Sequence, residues 1–400
     1  MGISERTRTL GTENAFVVLK EVNDLVSQGK DIINFCIGQP DFDTPEYIKQ
    51  AAIKAVKEGK TGYTASPGIP ELRKAIADYL SKTRGIQVKP ESVVVANGAK
   101  PFIGYAILSV TDYGKGHEVL YPNPGFPIYE SQIRAHGAVP VPLPLLERKG
   151  YAFDIEYLER KISKKTRLLI LNSPQNPTGG VLDRESLEQI ASIVERHSGL
   201  WVFSDEVYSR MVHDGEFESI SSIPGMQERT IIVDGASKTY AMTGWRIGFA
   251  SNENLAPYLS QWVTNTDSCA AHPNQYAALA ALTGPQDESK KMMLSFKKRR
   301  DLIVDGLNSV EGMECLRPGG AFYAWPNVTE ACGLVGAEDS EEFRKRLLHD
   351  AGVAVLSDIH FGHRNEGEGE HIRFSYATSE DNIEEGLERI RGYIKRNRLR

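Results

Sequence analysis

Cysteine is scarce in this chain. There are four in 400 residues, at positions 36, 269, 315 and 332, and no two form a C-x-x-C pair. That spacing excludes a disulfide framework and the usual zinc ribbons, and leaves reduced thiols as the simple reading. Positive charge is not in excess either. Lysine and arginine number 47 against 53 acidic residues, a net charge of −6. A chain of that balance is not built around a phosphate backbone or an anionic membrane surface. No apolar run approaches the length of a membrane span. The first residues, MGISERTRTL, lack an apolar core of the kind a secretory signal needs, so a cytoplasmic protein is expected. Internal repeats and low-complexity tracts are also missing.

What remains is ordinary globular composition, 40% hydrophobic and 25% charged. Its length calls for two domains or one large one with an extension. Seven short apolar or β-branched runs recur: VVVA (93–96), EVLYP (118–122), AVPVPL (138–143), LLILN (168–172), LWVFSD (200–205), TIIVD (230–234) and RIGFA (246–250). Amphipathic stretches separate them. RESLEQIASIVERH (184–197) puts Leu187, Ile190 and Val194 on one helical face. Continuous apolar strands alternating with helices predict an α/β domain with a largely parallel sheet covered on both faces. We expect it over 46–283. A smaller α+β domain is expected over 284–400, with the N-terminal segment 1–45 packing against it. Within that smaller part VAVLS (353–357) reads as one strand and HIRFSYA (371–377) as another.

Two charged segments have plain readings. The basic end RGYIKRNRLR suits a solvated helix terminus, where cations meet the negative end of the dipole. HFGHRNEGEGEH carries His360, His363 and His371 beside acidic residues, but its glycines and glutamates read as a mobile surface loop, and no metal is expected there.

The unusual residues fall just after the strands. VVVA runs into NGAKPF, EVLYP into NPGFPIY, LLILN into SPQNPTGG, LWVFS into DEVY, and TIIVD into GASK. In an open α/β sheet a ligand lies outside the carboxyl ends of the strands. Any one of these segments reads as a turn; five on one edge read as a site. Gly98, Ala99 and Lys100 precede Pro101, which suits the first turn of a helix, so backbone N–H groups there can meet an anion. Ser237 and Arg246 can add a hydroxyl and a charge. Asp205 ends an apolar strand and, if buried, needs a cationic or N–H partner. Tyr208 can present a phenol beside it, and Phe126 a flat aromatic face. Lys238, in GASKTYAMTGW, is either a surface lysine or an amine held for imine chemistry. A phosphate cradle, a stacking face, a buried acid and a lysine are what pyridoxal phosphate requires.

Over nearly its whole length the chain resembles the class I/II aminotransferases of the aspartate aminotransferase type, which are fold-type I pyridoxal-phosphate enzymes. The resemblance is carried by IGQPDFDTP (37–45), GYTASPGIPELR (62–73), NSPQNPTGG (172–180), SDEVY (204–208), SKTYAMTGWRIG (237–248), PGGAFYAWP (318–326) and IRFSYATS (372–379). It implies transfer of the amino group of an L-amino acid to a 2-oxo acid, such as 2-oxoglutarate, by a ping-pong route. It implies that Lys238 is the Schiff-base lysine and proton carrier and that Asp205 faces the pyridinium nitrogen. Tyr208 and Asn176 would bond the ring's phenolic oxygen, and Phe126 would stack on the ring and border the substrate. Backbone at Gly98, Ala99 and Lys100, with Ser237 and Arg246, would hold the phosphate. Arg373 would clamp the substrate α-carboxylate, assisted by Asn176 and the backbone of Gly38. The resemblance further implies a homodimer with shared active sites, in which Tyr63 reaches the phosphate of the partner's cofactor. One departure from the family pattern is Gly235, where many relatives carry serine. A β-elimination enzyme on the same scaffold is the competing reading, and a regulatory module that kept the fold is a more distant one.

Overall fold

The computed structural model describes residues 2–8 and 10–399. A short strand, β1 (Ile33–Asn34), precedes the main sheet. That sheet has seven strands: β2 (Val93–Ala96), β3 (Glu118–Asn123), β4 (Val139–Pro144), β5 (Thr166–Asn172), β6 (Trp201–Asp205), β7 (Thr230–Gly235) and β8 (Gly248–Ser251). Their order is β2-β8-β7-β6-β5-β3-β4. All seven correspond to the apolar runs of the sequence. Pairing from β7 across to β4 is parallel, whereas β8 runs antiparallel to both β7 and β2. An apolar run carries no direction; here the short connection from Gly235 to Gly248 returns the chain along its neighbour instead of crossing over. Prolines 140, 142 and 144 sit on β4, which is an edge strand, where a missing N–H costs least.

Both faces of the sheet are covered. Leu168 and Ile170 join Phe102, Ile103, Leu259 and Val263 in one core, while Leu169 and Leu171 pack with Leu187, Ile190 and Val194 on the other side. The period of two along β5 is what assigns them. Helix Arg184–Glu195 starts where Asp183 accepts the Ser186 N–H at 2.8 Å, and it buries the three residues its periodicity singled out.

The C-terminal part holds three long helices, Asp287–Asn308, Ser340–Ala351 and Glu380–Asn397, around short strands β9 (Tyr323–Ala324), β10 (Val353–Ala354), β11 (Leu356–Ser357) and β12 (Ile372–Ser375). The run 353–357 is therefore two strands. β10 pairs in parallel with β1, and β11 pairs antiparallel with β12, so the chain changes partner at Val355. Through β1 and the Phe35–Phe374 ring contact, with centroids 5.4 Å apart, Ile33 and Phe35 join the core of this part, while Ala15, Val18, Val22 and Leu25 join the core that includes Leu169 and Leu187 of the sheet part. The segment 360–371 is pinned rather than loose. Arg364 pairs with Asp358 at 2.8 Å, Asn365 bonds Asn123, and His371 is buried with its ring stacked on Trp325. The helix of the basic end runs to Asn397, and Arg398 pairs with Glu311; Arg400 lies outside the described residues.

Candidate active site

Parallel pairing puts Ala96, Asn123, Asn172, Asp205 and Gly235 at one edge of the sheet, and the reversed strand β8 brings its first residue, Gly248, to the same edge. A cavity of about 500 Å³ opens there. Gly38, Ala99, Lys100, Phe126, Asn176 and Asp205 line it, as do Tyr208, Ser237, Lys238, Arg246 and Arg373. Gly98 is not part of the lining, although it packs against Arg246, which is. Tyr63 does not reach it within one chain: the residue is 88% exposed.

Glycines set the rim's dimensions. Gly98 has φ +95°, and a Cβ there would lie 2.2 Å from Arg246 Nη2. Only glycine allows that turn and that approach. At Gly248, which the sequence reading did not single out, a Cβ would lie 2.2 Å from the Ala99 nitrogen. Gly235 is less confined, with its Cβ position 3.0 Å from the Ile247 carbonyl, so a serine there would require that backbone to shift by a few tenths of an ångström. Helix Pro101–Val110 begins without a side-chain cap; its Phe102 and Ile103 N–H groups turn back to the Ala99 and Lys100 carbonyls at 3.1 Å each, so the N–H groups that face an anion are those of Ala99 and Lys100, just before the helix.

Charge is distributed unevenly around the cavity. Asp205 is buried and ends β6. Its Oδ2 accepts from the Tyr129 hydroxyl at 2.6 Å, and Oδ1 has a longer contact with the Val207 N–H at 3.4 Å. No described cation is within ion-pair distance. Burial raises its carboxyl from 3.8 to about 6, and the Tyr129 hydrogen bond offsets part of that. The contrast with its neighbours is sharp. Glu206 and Asp234, both buried, are bound by Arg84 at 2.8 and 2.7 Å. The fold supplies a cation to those two carboxylates and none to Asp205.

Two arginines show the converse. Arg373, on β12 and 3% exposed, donates through Nη1 to Asn176 Oδ1 at 2.9 Å and through Nη2 to the Cys36 carbonyl at 2.6 Å. Its Nε is buried without a partner. The guanidinium lies between the rings of Tyr323 and Phe361, 4.4 and 4.8 Å from their centroids. Among the described residues Arg246 bonds the carbonyls of Thr243 and Asn97 and no carboxylate. Neither faces a described carboxylate. Lys238, in the short helix Ala236–Thr239, donates to the Gly38 carbonyl at 2.5 Å. Enclosure of its ammonium lowers its pKa from 10.5 to about 8, with Glu13 opposing the fall and Arg373, Arg246 and Lys100 adding to it. Tyr208, buried, shares a 2.7 Å hydroxyl contact with Tyr323. The Phe126 ring lies edge-on to Tyr129 and 5.4 Å from the Lys100 ammonium.

The sequence reading missed Tyr129, Tyr323, Asn172 and Glu13. Asn172 braces the wall: its Nδ2 donates to the Asp205 carbonyl and its Oδ1 accepts from the Asn176 N–H. Tyr129 and Tyr323 stand inside quoted segments, NPGFPIY and PGGAFYAWP, so their positions were visible but their reach was not. The three histidines considered for a metal do not gather. The group nearest to ligand spacing among the described residues is Glu147, Glu368 and His371, and hydrogen bonds from Asn327, the Glu147 N–H and Tyr151 already engage it.

An unpaired buried carboxylate, two arginines without anions and a lysine of lowered pKa thus share one cavity. Such a set fits a ligand that carries a cationic ring, a phosphate and, in its partner substrate, a carboxylate. Comparison with known proteins places the chain in a family. The sequence matches the family Aminotransferase class I and II over residues 30–390. It is 38% identical to a probable aspartate/prephenate aminotransferase of Aquifex aeolicus, covering 98% of both chains. It is 37% identical to an asparagine–oxo-acid transaminase of Streptococcus mutans, covering 98% of this chain and 97% of that one. Among solved structures, the aspartate aminotransferase of Rhizobium meliloti superposes with a TM-score of 0.92 at 34% identity, covering all of both chains.

Proposed function

The chain belongs to the class I and II aminotransferases, and from that premise we propose that it moves the amino group of an L-amino acid to a 2-oxo acid by a ping-pong exchange, with pyridoxal phosphate as its cofactor. The observation that carries this reading is the charge pattern of the cavity: one carboxylate left without a cation and two arginines left without anions.

When bound, pyridoxal phosphate supplies an aldehyde that captures amines and a ring that withdraws electrons from the substrate Cα. Asp205 meets the ring nitrogen and keeps a proton on it. This is the cation that Asp205 lacks within the chain. Arg246, Ser237 and the backbone of Gly98, Ala99 and Lys100 hold the phosphate. Phe126 covers the ring face. Tyr208 and Asn176 serve the ring's phenolic oxygen, with the Tyr208 hydroxyl oriented by Tyr323. Arg373 binds the α-carboxylate with its planar fork. Asn176, with the backbone of Gly38, assists there. Lys238 anchors the cofactor and, once released as an amine, takes the proton from the substrate Cα. A pKa near 8 leaves a useful fraction of that amine unprotonated at neutral pH.

The proposal extends to assembly and organisation. The protein acts as a homodimer whose sites are completed across the interface, with Tyr63 reaching the partner's cofactor phosphate; its 88% exposure in one chain supports this. The large unit spans 46–283 and the small one 284–400, with segment 1–45 joined to the latter, as the Ile33–Val353 pairing supports. No helix among the described residues is long and apolar enough to cross a membrane, and we place the protein in the cytoplasm, free of nucleic acid. The test is a panel of L-amino acids offered with pyruvate or 2-oxoglutarate. The expected product is a new amino acid formed from the acceptor. Release of ammonia and pyruvate without any need for an acceptor would replace this reading with elimination.

A further inference from the structure

Four cations line the cavity: Lys100, Lys238, Arg246 and Arg373. Three are committed in the transaminase reading, on which the role of the fourth rests: Lys238 to the cofactor aldehyde, Arg246 to its phosphate and Arg373 to the α-carboxylate. A substrate with a second carboxylate therefore has one cation of this chain left to meet, Lys100. That ammonium is already taken. Glu13 Oε2 lies 2.6 Å from Lys100 Nζ.

The pair is partly exposed, with the Lys100 side chain 43% and the Glu13 side chain 25% accessible. Glu13 precedes helix Asn14–Ser27 and makes no capping bond to it. It reaches instead to the start of helix Pro101–Val110, 87 residues away. Both members line the cavity. Glu13 is also the carboxylate that opposes the lowered pKa of Lys238. Apolar side chains also line the cavity: Phe16, Ile37, Ile103 and Phe126, whose ring lies 5.4 Å from the Lys100 ammonium. Arg134, on an adjoining cavity, is held by Glu130 at 2.7 Å.

We infer that Glu13 is a specificity-determining residue: by neutralising Lys100 it selects amino acids with uncharged side chains and selects against dicarboxylates. A dicarboxylate must break the ion pair and then sit beside the freed Glu13 charge. An uncharged side chain leaves the pair whole and packs on the apolar wall. Discrimination of this kind rests on a repulsive element as much as on an attractive one. Both halves of the exchange use the same cavity, so the oxo acid obeys the same rule, with pyruvate preferred to 2-oxoglutarate.

The test compares wild type with Glu13→Gln, measuring kcat/KM for L-aspartate and L-leucine with pyruvate as acceptor. Succinate binding to both holoenzymes is followed by calorimetry. Wild type should favour leucine. In Glu13→Gln the aspartate-to-leucine ratio should rise roughly 10-fold or more, and succinate should bind about 10-fold tighter, a difference of about 1.4 kcal/mol. Adding Lys100→Met should remove both gains. A wild type that prefers aspartate, or a ratio and a succinate affinity that do not move in Glu13→Gln, overturns the inference while amino transfer itself stands. Absence of transfer from any donor, together with tighter succinate binding in Glu13→Gln, overturns the transaminase reading and keeps the Glu13 assignment.

Discussion

Asp205→Asn should stabilise the cofactor-free protein. The amide oxygen of asparagine can still accept from the Tyr129 hydroxyl, which now donates to Asp205 at 2.6 Å. What the substitution removes is a charge that is buried and faces no cation. Burial raises the carboxyl from 3.8 to about 6 in the folded chain. Between those values the folded state holds a proton that the unfolded state has released. Stability therefore falls as pH rises through that window, and the penalty is complete above about pH 6. At about 1.4 kcal/mol per pH unit the gap amounts to roughly 3 kcal/mol. Urea unfolding of the cofactor-free proteins at pH 7.5 should show Asp205→Asn more stable by about 2–3 kcal/mol, and the advantage should shrink toward zero near pH 4. With pyridoxal phosphate bound the sign should reverse, because the same carboxylate then gains its cation. If Asp205→Asn is no more stable than its parent at pH 7.5 without cofactor, the reasoning about an uncompensated charge fails.

Other substitutions separate the remaining roles. Arg373→Lys keeps the charge but loses the fork, so kcat/KM should fall roughly 10-fold or more for every amino donor; an unchanged value would remove Arg373 from the carboxylate. Arg84→Met strands Glu206 and Asp234 as buried charges and should cost roughly 3–5 kcal/mol in a denaturant titration, far more than a surface arginine would. Gly248→Ala drives a methyl into the Ala99 nitrogen, so cofactor affinity should drop roughly 10-fold or more by equilibrium dialysis. Tyr63→Phe should weaken cofactor retention by a similar factor if its phenol donates to a phosphate oxygen, a bond worth about 1.5–3 kcal/mol. In a heterodimer of a Tyr63→Phe chain and a Lys238→Ala chain, wild-type affinity should return at the site that keeps its lysine; no recovery would place Tyr63 in its own chain's site.

The strands were legible because a sheet covered on both faces needs unbroken apolar runs, and β2 to β8 have them. Which strand ends border the cavity was legible because polar and glycine residues follow five of these runs directly. Direction was not: nothing in RIGFA says that β8 runs against its neighbours, and nothing in VAVLS marks the change of partner at Val355. Side chains that arrive through space were also hidden. Tyr129 reaches Asp205 from a helix 76 positions earlier, and Glu13 reaches Lys100 across 87. Such contacts depend on how elements dock, which periodicity does not encode. The segment 360–371 misled for a related reason. Its glycines and glutamates read as a solvated loop, but Arg364, Asn365 and His371 tie it to partners elsewhere in the fold.

The central claim is that Lys238 carries the cofactor. The direct measurement is reduction of the holoenzyme with borohydride, followed by digestion and mass mapping of the pyridoxyl label. The holoenzyme should be yellow and bleach on reduction, with the label confined to the peptide containing Lys238 and absent in Lys238→Ala. A label on any other lysine, or a reduced protein that releases its cofactor unbound, would contradict it.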